Sequence, residues 1–158
     1  MTDDLIELAR RAVACPGFRP MRGMSGESGE VIVDVFADGC VKTSELVDSG
    51  YGYETYREPW VGQFKEMLEN YWLPDLTDPA TLGCLLALVR EASGCPVWVS
   101  FDVEPDPLDD GEYVLSEPAR WTVWRAPVGD FVQPCGSGPT EAAALIAALE
   151  AAAQRSEP

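Results

Sequence analysis

The densest group of side chains that could do chemistry lies between residues 102 and 112. This acidic segment carries six carboxylates, from Asp102, Glu104, Asp106, Asp109, Asp110 and Glu112. Because no Lys or Arg occurs between Glu91 and Ala119, the fields of these carboxylates add up. Three interpretations fit: a solvated loop, a surface that docks on a basic partner by imitating DNA phosphates, or a divalent-cation site. The last four carboxylates would be the cation's ligands, but their spacing departs from the calcium-loop pattern, so we predict no bound metal.

A second candidate is an aromatic loop, which the polar and glycine-containing composition of residues 44–58 predicts. It carries Tyr51, Tyr53 and Tyr56. Aromatic side chains on loops offer a large contact area for few rotatable bonds, which is typical of recognition surfaces. The alternative is that some of these rings, and Trp60 after them, cover the sheet.

The residue types that are absent exclude several kinds of catalytic site. The sequence has no histidine, which removes imidazole bases, Ser-His-Asp and Cys-His nucleophile systems, and zinc sites that need an imidazole. Nothing in the sequence selects one pair among the 27 Asp and Glu residues for acid–base work. The five cysteines form no Cys-x-x-Cys motif, and we expect them to be small buried side chains in a reducing compartment: Cys15, Cys40, Cys84, Cys95 and Cys135. We therefore predict a protein that is not an enzyme and that has no cofactor.

The charge balance narrows the choice of partner. The chain has 158 residues, and 11 Lys and Arg against 27 Asp and Glu give a net charge of 11 − 27 = −16. A protein that grips nucleic-acid phosphates needs clustered cations, so we expect no direct binding of nucleic acid. No apolar run approaches the length of a membrane span, and the chain starts with an acidic rather than a basic segment. We expect a cytoplasmic protein that binds no membrane.

Apolar periodicity and turn residues predict an α+β fold with the approximate order α-β-β-α-α-β-β-α. We expect one largely antiparallel sheet with helices packed on its faces, similar to an α/β/α sandwich, in a single domain over residues 1–153 with a frayed tail over 154–158. The predicted elements are a helix over 3–14, a strand over 31–36 that returns through an Asp38-Gly39 hairpin into 40–43, helices from Pro59 and over 78–92, and strands over 97–104, 112–115 and 121–126. Phe131 and Val132 are predicted to extend the sheet as a third strand, and Gly136, Ser137 and Gly138 to lead into a last helix. The run Cys84–Val89 is apolar nearly all round, which predicts that the 78–92 helix is the most buried.

Three segments resemble one known family. They are residues 8–15 with Gly17, the contiguous run of 20 residues over 73–92 (LPDLTDPATLGCLLALVREA), and residues 138–142 (GPTEA) leading into an Ala/Leu helix. These are similar to small proteins of bacteriophages and prophages that carry the phage ABA-sandwich domain. Residues 25–72 and 102–120 fit less clearly, and Phe18 stands where the family tends to carry tryptophan. The resemblance implies a phage origin and a sheet layered between helices, and it implies no activity, cofactor or catalytic residue.

Together, the resemblance and the charge predict a function in binding. We expect a phage-encoded, non-enzymatic acidic protein that acts on a host protein with a basic surface, such as a defence component that it inhibits by imitating DNA charge. The alternative is a small-molecule binder that sequesters a nucleotide signal. It would stack the base on aromatic rings and hold the phosphates with Arg19, Arg22, Lys42 or Arg57.

Overall fold

The computed structural model describes residues 2–48, 54–56, 60–70, 72–102, 105–107, 113–115, 120–126 and 131–155. These residues form helices and antiparallel strand pairs, which confirms the predicted α+β class. The chain divides into two compact units, Met1–Ala14 with Phe18–Cys84 and Cys15–Gly17 with Leu85–Pro158. One helix, α3 (Pro79–Ser93), begins in the first unit and ends in the second.

The remaining elements of the first unit surround a hairpin. They are α1 (Asp3–Ala14), β1 (Glu30–Val35), β2 (Cys40–Asp48), β3 (Glu54–Tyr56), β4 (Val61–Gln63) and α2 (Phe64–Asn70). The predicted Asp38-Gly39 turn is confirmed, because Phe36 N–H donates to Cys40 O at 2.9 Å and Gly39 has a φ of 83°. Gly39 tolerates this left-handed conformation without a Cβ clash. Asp38 Oδ1 accepts a hydrogen bond from Cys40 N–H at 3.0 Å, which lowers the pKa of Asp38 and holds the turn.

Two predictions in this unit are wrong, and in both a strand that pairs with β2 stands where none was expected. Residues 44–58 were predicted as a loop, but β2 continues to Asp48 and pairs with β3. The helix predicted from Pro59 begins only at Phe64, because Val61–Gln63 form β4 against the start of β2. Tertiary pairing overrides local helix propensity here, since it satisfies the backbone N–H and C=O groups of β2.

The core of the first unit contains both sheet and helix residues. Ile32 and Val41 from the hairpin are fully buried, as is Trp72. The Phe64 ring lies edge-on to the Trp72 ring, with centroids 5.4 Å apart. Such aromatic pairs stabilise a core by about 0.5–1.5 kcal/mol beyond the area they bury.

The second unit holds the other strands and the last helix. They are β5 (Val97–Asp102), β6 (Pro105–Pro107), β7 (Tyr113–Leu115), β8 (Arg120–Arg125), β9 (Gln133–Gly138) and α4 (Glu141–Arg155). Among the described residues, β5, β8 and β9 form one antiparallel sheet, and β6 pairs with β7. The strands of the two units therefore do not share the single sheet that the sequence predicted.

The third strand of this sheet differs from the prediction. It was placed at Phe131 and Val132, but these side chains are exposed and β9 begins at Gln133. Gly136, Ser137 and Gly138, which were predicted to lead into the last helix, are strand residues paired with β8. Because glycine and serine have a low propensity for strands, the sequence does not predict a strand at these positions.

Helix α4 is more buried than α3, so the prediction that the 78–92 helix is the most buried is wrong. The helix itself is confirmed at Pro79–Ser93, and it buries Leu85, Leu88 and Val89, while Leu82 and Leu86 are half-buried. The residues that α4 buries are Ala142, Ala144, Leu145, Ile146, Ala148, Leu149 and Ala152. It also extends to Arg155, two residues into the tail that was expected to fray.

Two glycines let α4 lie directly on β9. A Cβ at Gly136 would be 2.4 Å from Ala144 O, and one at Gly138 would be 2.6 Å from Ala143 Cβ. Only a strand without side chains at these positions lets the helix backbone come so close. One face of the β5–β8–β9 sheet is therefore covered by α4.

Candidate functional site

The acidic segment begins where β5 ends. Asp102 is the last residue of β5 and stands opposite Arg120 in the register. Asp106 lies in β6, opposite Val114 of β7, so part of the predicted acidic turn is a strand pair. The other carboxylates of this segment lie outside the described residues: Glu104, Asp109, Asp110 and Glu112.

The predicted aromatic loop is only partly described. Tyr56 lies in β3, opposite Leu46 of β2, and is therefore a strand residue rather than a loop residue. Tyr51 and Tyr53 lie outside the described residues. The structure thus does not bring the three tyrosines together as a described site.

The register of the second sheet shows which side chains face away from α4. Val123 lies opposite Val99 on β5 and Gly136 on β9, and the absent Cβ of Gly136 points at α4. Val123 is fully buried, as expected for the covered face. Because side chains alternate along a strand, the residues one position away, Thr122 and Trp124, belong to the opposite face.

That opposite face presents two tryptophans side by side. Trp98 stands directly opposite Trp124, and the next row across the strands consists of Ser100, Thr122 and Ser137. We call this surface the tryptophan face and define it by Trp98, Ser100, Thr122, Trp124 and Ser137. Trp98 is 38% exposed, Ser137 is exposed, and Ser100, Thr122 and Trp124 are half-buried. Large aromatic side chains at a solvent-facing position of a sheet are typical of a binding surface.

One hydrogen bond fixes the geometry of the tryptophan face. Trp124 Nε1 donates to Ser100 Oγ at 2.8 Å across the two strands. The indole ring of Trp124 is thereby held toward β5, beside Trp98. A ring held in this way loses little conformational entropy when a partner binds, so the surface is preorganised.

Sequence reasoning missed this face although its signal was present. The alternation of Val97, Val99 and Phe101 with Trp98, Ser100 and Asp102 was recognised as a strand. The strands predicted over 97–104 and 121–126 did not by themselves identify the cross-strand neighbours of Trp121 and Trp124. In the structure Trp121 stands opposite Phe101, with ring centroids 5.2 Å apart, and Trp124 stands opposite Trp98. Only the register supplies this pairing.

A second polar cluster, in the first unit, is a helix cap. Thr81 N–H and the Thr81 hydroxyl donate to Asp78 Oδ2 at 2.8 and 2.9 Å, and Ser25 N–H donates to Thr81 Oγ1 at 2.9 Å. Burial opposes the charge of Asp78, but the hydrogen bonds from Thr81 and Ser25 outweigh it and lower the pKa of Asp78. This network closes the first turn of α3 and ties it to the Ser25 loop.

Three of the five thiols have a raised pKa: Cys40, Cys84 and Cys135. All five cysteines are thiols outside any disulfide, with Cys15 buried and the others half-buried. Burial raises the pKa of Cys84, and the Asp78 carboxylate raises it further. Burial also raises the pKa of Cys135, although Arg155 and Arg125 act in the opposite direction. A raised pKa keeps a thiol protonated at neutral pH, and the protonated form is a poor nucleophile.

Two further features of the described residues bear on ligands. Among them, no group of three or more His, Cys, Asp or Glu side chains is placed to hold a metal ion. An open apolar hollow of about 330 Å³ in the first unit is lined by Arg10, Val13, Ala14, Leu68, Glu69 and Leu73. Arg19, Arg22 and Lys42, the described cations proposed for a nucleotide ligand, do not line this hollow, and Arg57 lies outside the described residues.

No protein-family model, curated protein or solved structure matches this chain. The resemblance to phage ABA-sandwich proteins therefore stays a prediction. Among the helices that the structure describes, none has the length and apolar character needed to cross a bilayer.

Proposed function

We propose that this chain is a non-enzymatic binding protein that docks on a protein partner with a basic surface. The observation that carries the proposal is that the tryptophan face lies on the two strands that the acidic segment connects. β5 ends at Asp102 and β8 begins at Arg120, and the two strands pair along their whole length. The connection between them contains five of the six carboxylates of the acidic segment, so it leaves and rejoins the sheet at the end of the tryptophan face.

The two features would contribute differently to binding. Tryptophans at the centre of an interface contribute most of the binding energy, because they bury a large apolar area. Charges at the rim mainly accelerate encounter and select partners of opposite sign. With a net charge of −16 on the chain, the selected partner is basic.

The resemblance to phage proteins supports a more specific proposal about the partner. The protein would be phage-encoded, and the partner would be a host protein that itself binds nucleic acid, such as a component of a defence system. A surface that binds phosphates through Lys and Arg would accept a dense set of carboxylates in their place. The protein would then act as an inhibitor in the host cytoplasm.

The test is affinity capture from a bacterial lysate, with captured proteins quantified for the wild type and three variants. The first variant neutralises the acidic segment (Asp106→Asn, Asp109→Asn, Asp110→Asn, Glu112→Gln). The second is a matched control that removes the same number of charges elsewhere (Asp4→Asn, Glu7→Gln, Glu27→Gln, Asp34→Asn), and the third is Trp98→Ala.

We expect a basic partner that the wild type and the control variant retain and that the other two variants lose. Retention should also weaken as salt rises above about 0.1 M, where the screening length is about 10 Å. If both charge variants lose the partner equally, binding depends only on net charge and the assignment to the acidic segment is wrong. If Trp98→Ala retains the partner fully, the tryptophan face takes no part.

A further inference from the structure

We infer that the tryptophan face binds an extended, proline-containing basic peptide in the polyproline II conformation. This inference rests on the proposed function and deepens it, because it names the chemistry of the partner segment that lies on the sheet. It follows from the shape, the hydrogen-bonding groups and the charge around the tryptophan face.

The shape of the face suits an extended ligand. Trp98 and Trp124 stand opposite each other, and Pro134 beside the tryptophan face continues their row onto β9, where the register with β8 shifts; Pro134 is exposed. Three strands spaced about 4.8 Å apart make this apolar row about 10 Å wide. One turn of a polyproline II helix rises about 9.3 Å, from three residues at about 3.1 Å each, and therefore matches the row.

The hydrogen-bonding groups of the face suit the same ligand. A polyproline II chain has no internal hydrogen bonds, so its carbonyl groups need external donors. Thr122 and Ser137 supply hydroxyl groups in the row next to the tryptophans. On β5 and β8 this row is displaced along the strand by two residues, or about 6.6 Å. The hydrogen bond from Trp124 Nε1 to Ser100 holds the Trp124 ring in place. Proline rings can pack against the apolar surface of this ring.

The charge selects a basic peptide over other extended ligands. Arg or Lys residues that flank the prolines would be attracted by the net charge of −16 on the chain. Single-stranded nucleic acid could also stack on the tryptophans, but its phosphates are repelled by a net charge of −16. A second copy of this chain is opposed by the same charge on both molecules.

The experiment measures the binding of fluorescently labelled synthetic peptides by anisotropy at low salt. The first probe is a nine-residue peptide that repeats Arg-Pro-Pro three times. The second probe replaces its prolines with alanine, and the third replaces its arginines with glutamate. A short oligothymidylate is the fourth probe. The protein variants are Trp98→Ala and, as a matched control, Phe131→Ala, which truncates an aromatic side chain that is 78% exposed and lies outside the tryptophan face.

We expect the first probe to bind the wild type and Phe131→Ala with the same affinity, within a factor of two. Trp98→Ala and the alanine probe should each weaken binding at least tenfold, and the glutamate probe should not bind. Circular dichroism melting of Trp98→Ala checks that the variant is folded. Because Trp98 is 38% exposed and pairs with Trp124, the variant should melt a few degrees below the wild type and still unfold in one cooperative transition.

Several outcomes would overturn the inference. If the alanine probe binds as well as the proline probe, the face does not select polyproline II. If Trp98→Ala binds as well as the wild type, the peptide lies elsewhere, and oligothymidylate binding that depends on Trp98 would make the ligand a nucleic acid. If no peptide binds but the captured protein partner still depends on Trp98, this inference fails and the proposed function stands. If the partner does not depend on Trp98 or on the acidic segment, the proposed function fails as well.

Discussion

Replacing Gly136 with alanine tests how closely α4 packs on β9. The added Cβ would lie 2.4 Å from Ala144 O and 2.5 Å from Ala148 N, and both of these are backbone atoms. Non-bonded heavy atoms prefer separations of about 3.5–4.0 Å, so the helix would have to move by roughly 1 Å. Such overpacking costs about 1–3 kcal/mol. It would exceed the stabilisation of about 0.4–1 kcal/mol that alanine brings by restricting the unfolded chain.

The assay is urea or thermal unfolding of Gly136→Ala beside a matched control, Gly83→Ala. Gly83 lies in α3, and a Cβ there meets nothing within 4 Å. Alanine is about 1 kcal/mol more favourable than glycine inside a helix, so the control should raise the free energy of unfolding. Gly136→Ala should instead lower the melting temperature, by about 2–4 °C for each kcal/mol in a chain of this size. If both variants are stabilised to a similar degree, α4 does not contact β9 as described.

Two further predictions concern α3. Asp78→Ala removes the acceptor for Thr81 N–H and should cost about 1 kcal/mol in urea unfolding. Because the pKa of Asp78 is lowered in the folded state, its charge stabilises the fold above about pH 4 and this contribution is lost as the pH falls through the folded pKa. The free energy of unfolding of the wild type relative to Asp78→Asn should therefore decrease from pH 5 to pH 2, and a difference that is constant with pH would contradict the network. Leu85→Ala should lower the free energy of unfolding by about 2–5 kcal/mol because Leu85 is 1% exposed. Leu86→Ala should lower it clearly less because Leu86 is half-buried. Equal losses in denaturant unfolding would contradict the burial of α3 described above.

The parts of the fold that were predicted correctly are those in which local signals agree with tertiary structure. The α1 helix over Asp3–Ala14 has acidic residues in its first turn and an apolar stripe, and the Asp38-Gly39 turn lies between two β-branched strands. The α3 helix begins at a proline that follows Asp78, which is a common start of a helix. At each of these positions one short stretch of sequence contains all the information that the element needs.

The errors occur where the information lies in a distant segment. Val61–Gln63 form a strand because the start of β2 pairs with them, and this partner lies some twenty residues earlier in the chain. Gln133–Gly138 has a low propensity to form a strand. Its glycines at 136 and 138 are present because α4 packs closely on this strand. The tryptophan face depends on the same kind of information, since only the register of β5 with β8 places Trp98 beside Trp124. The acidic segment, by contrast, is a property of composition and is visible in the sequence alone.

The construction of the second sheet supports a role for the tryptophan face in binding rather than in stability. On the covered face, α4 is rich in alanine and lies on glycines, so close backbone packing rather than large side chains forms this part of the core. That helix already buries seven residues without any contribution from the opposite face. The core under α4 therefore does not require large aromatic residues at 98 and 124, since smaller residues such as threonine and valine also form strands. Two tryptophans kept partly in water at such positions lose the burial that would make them stabilising, and a partner that covers them restores it.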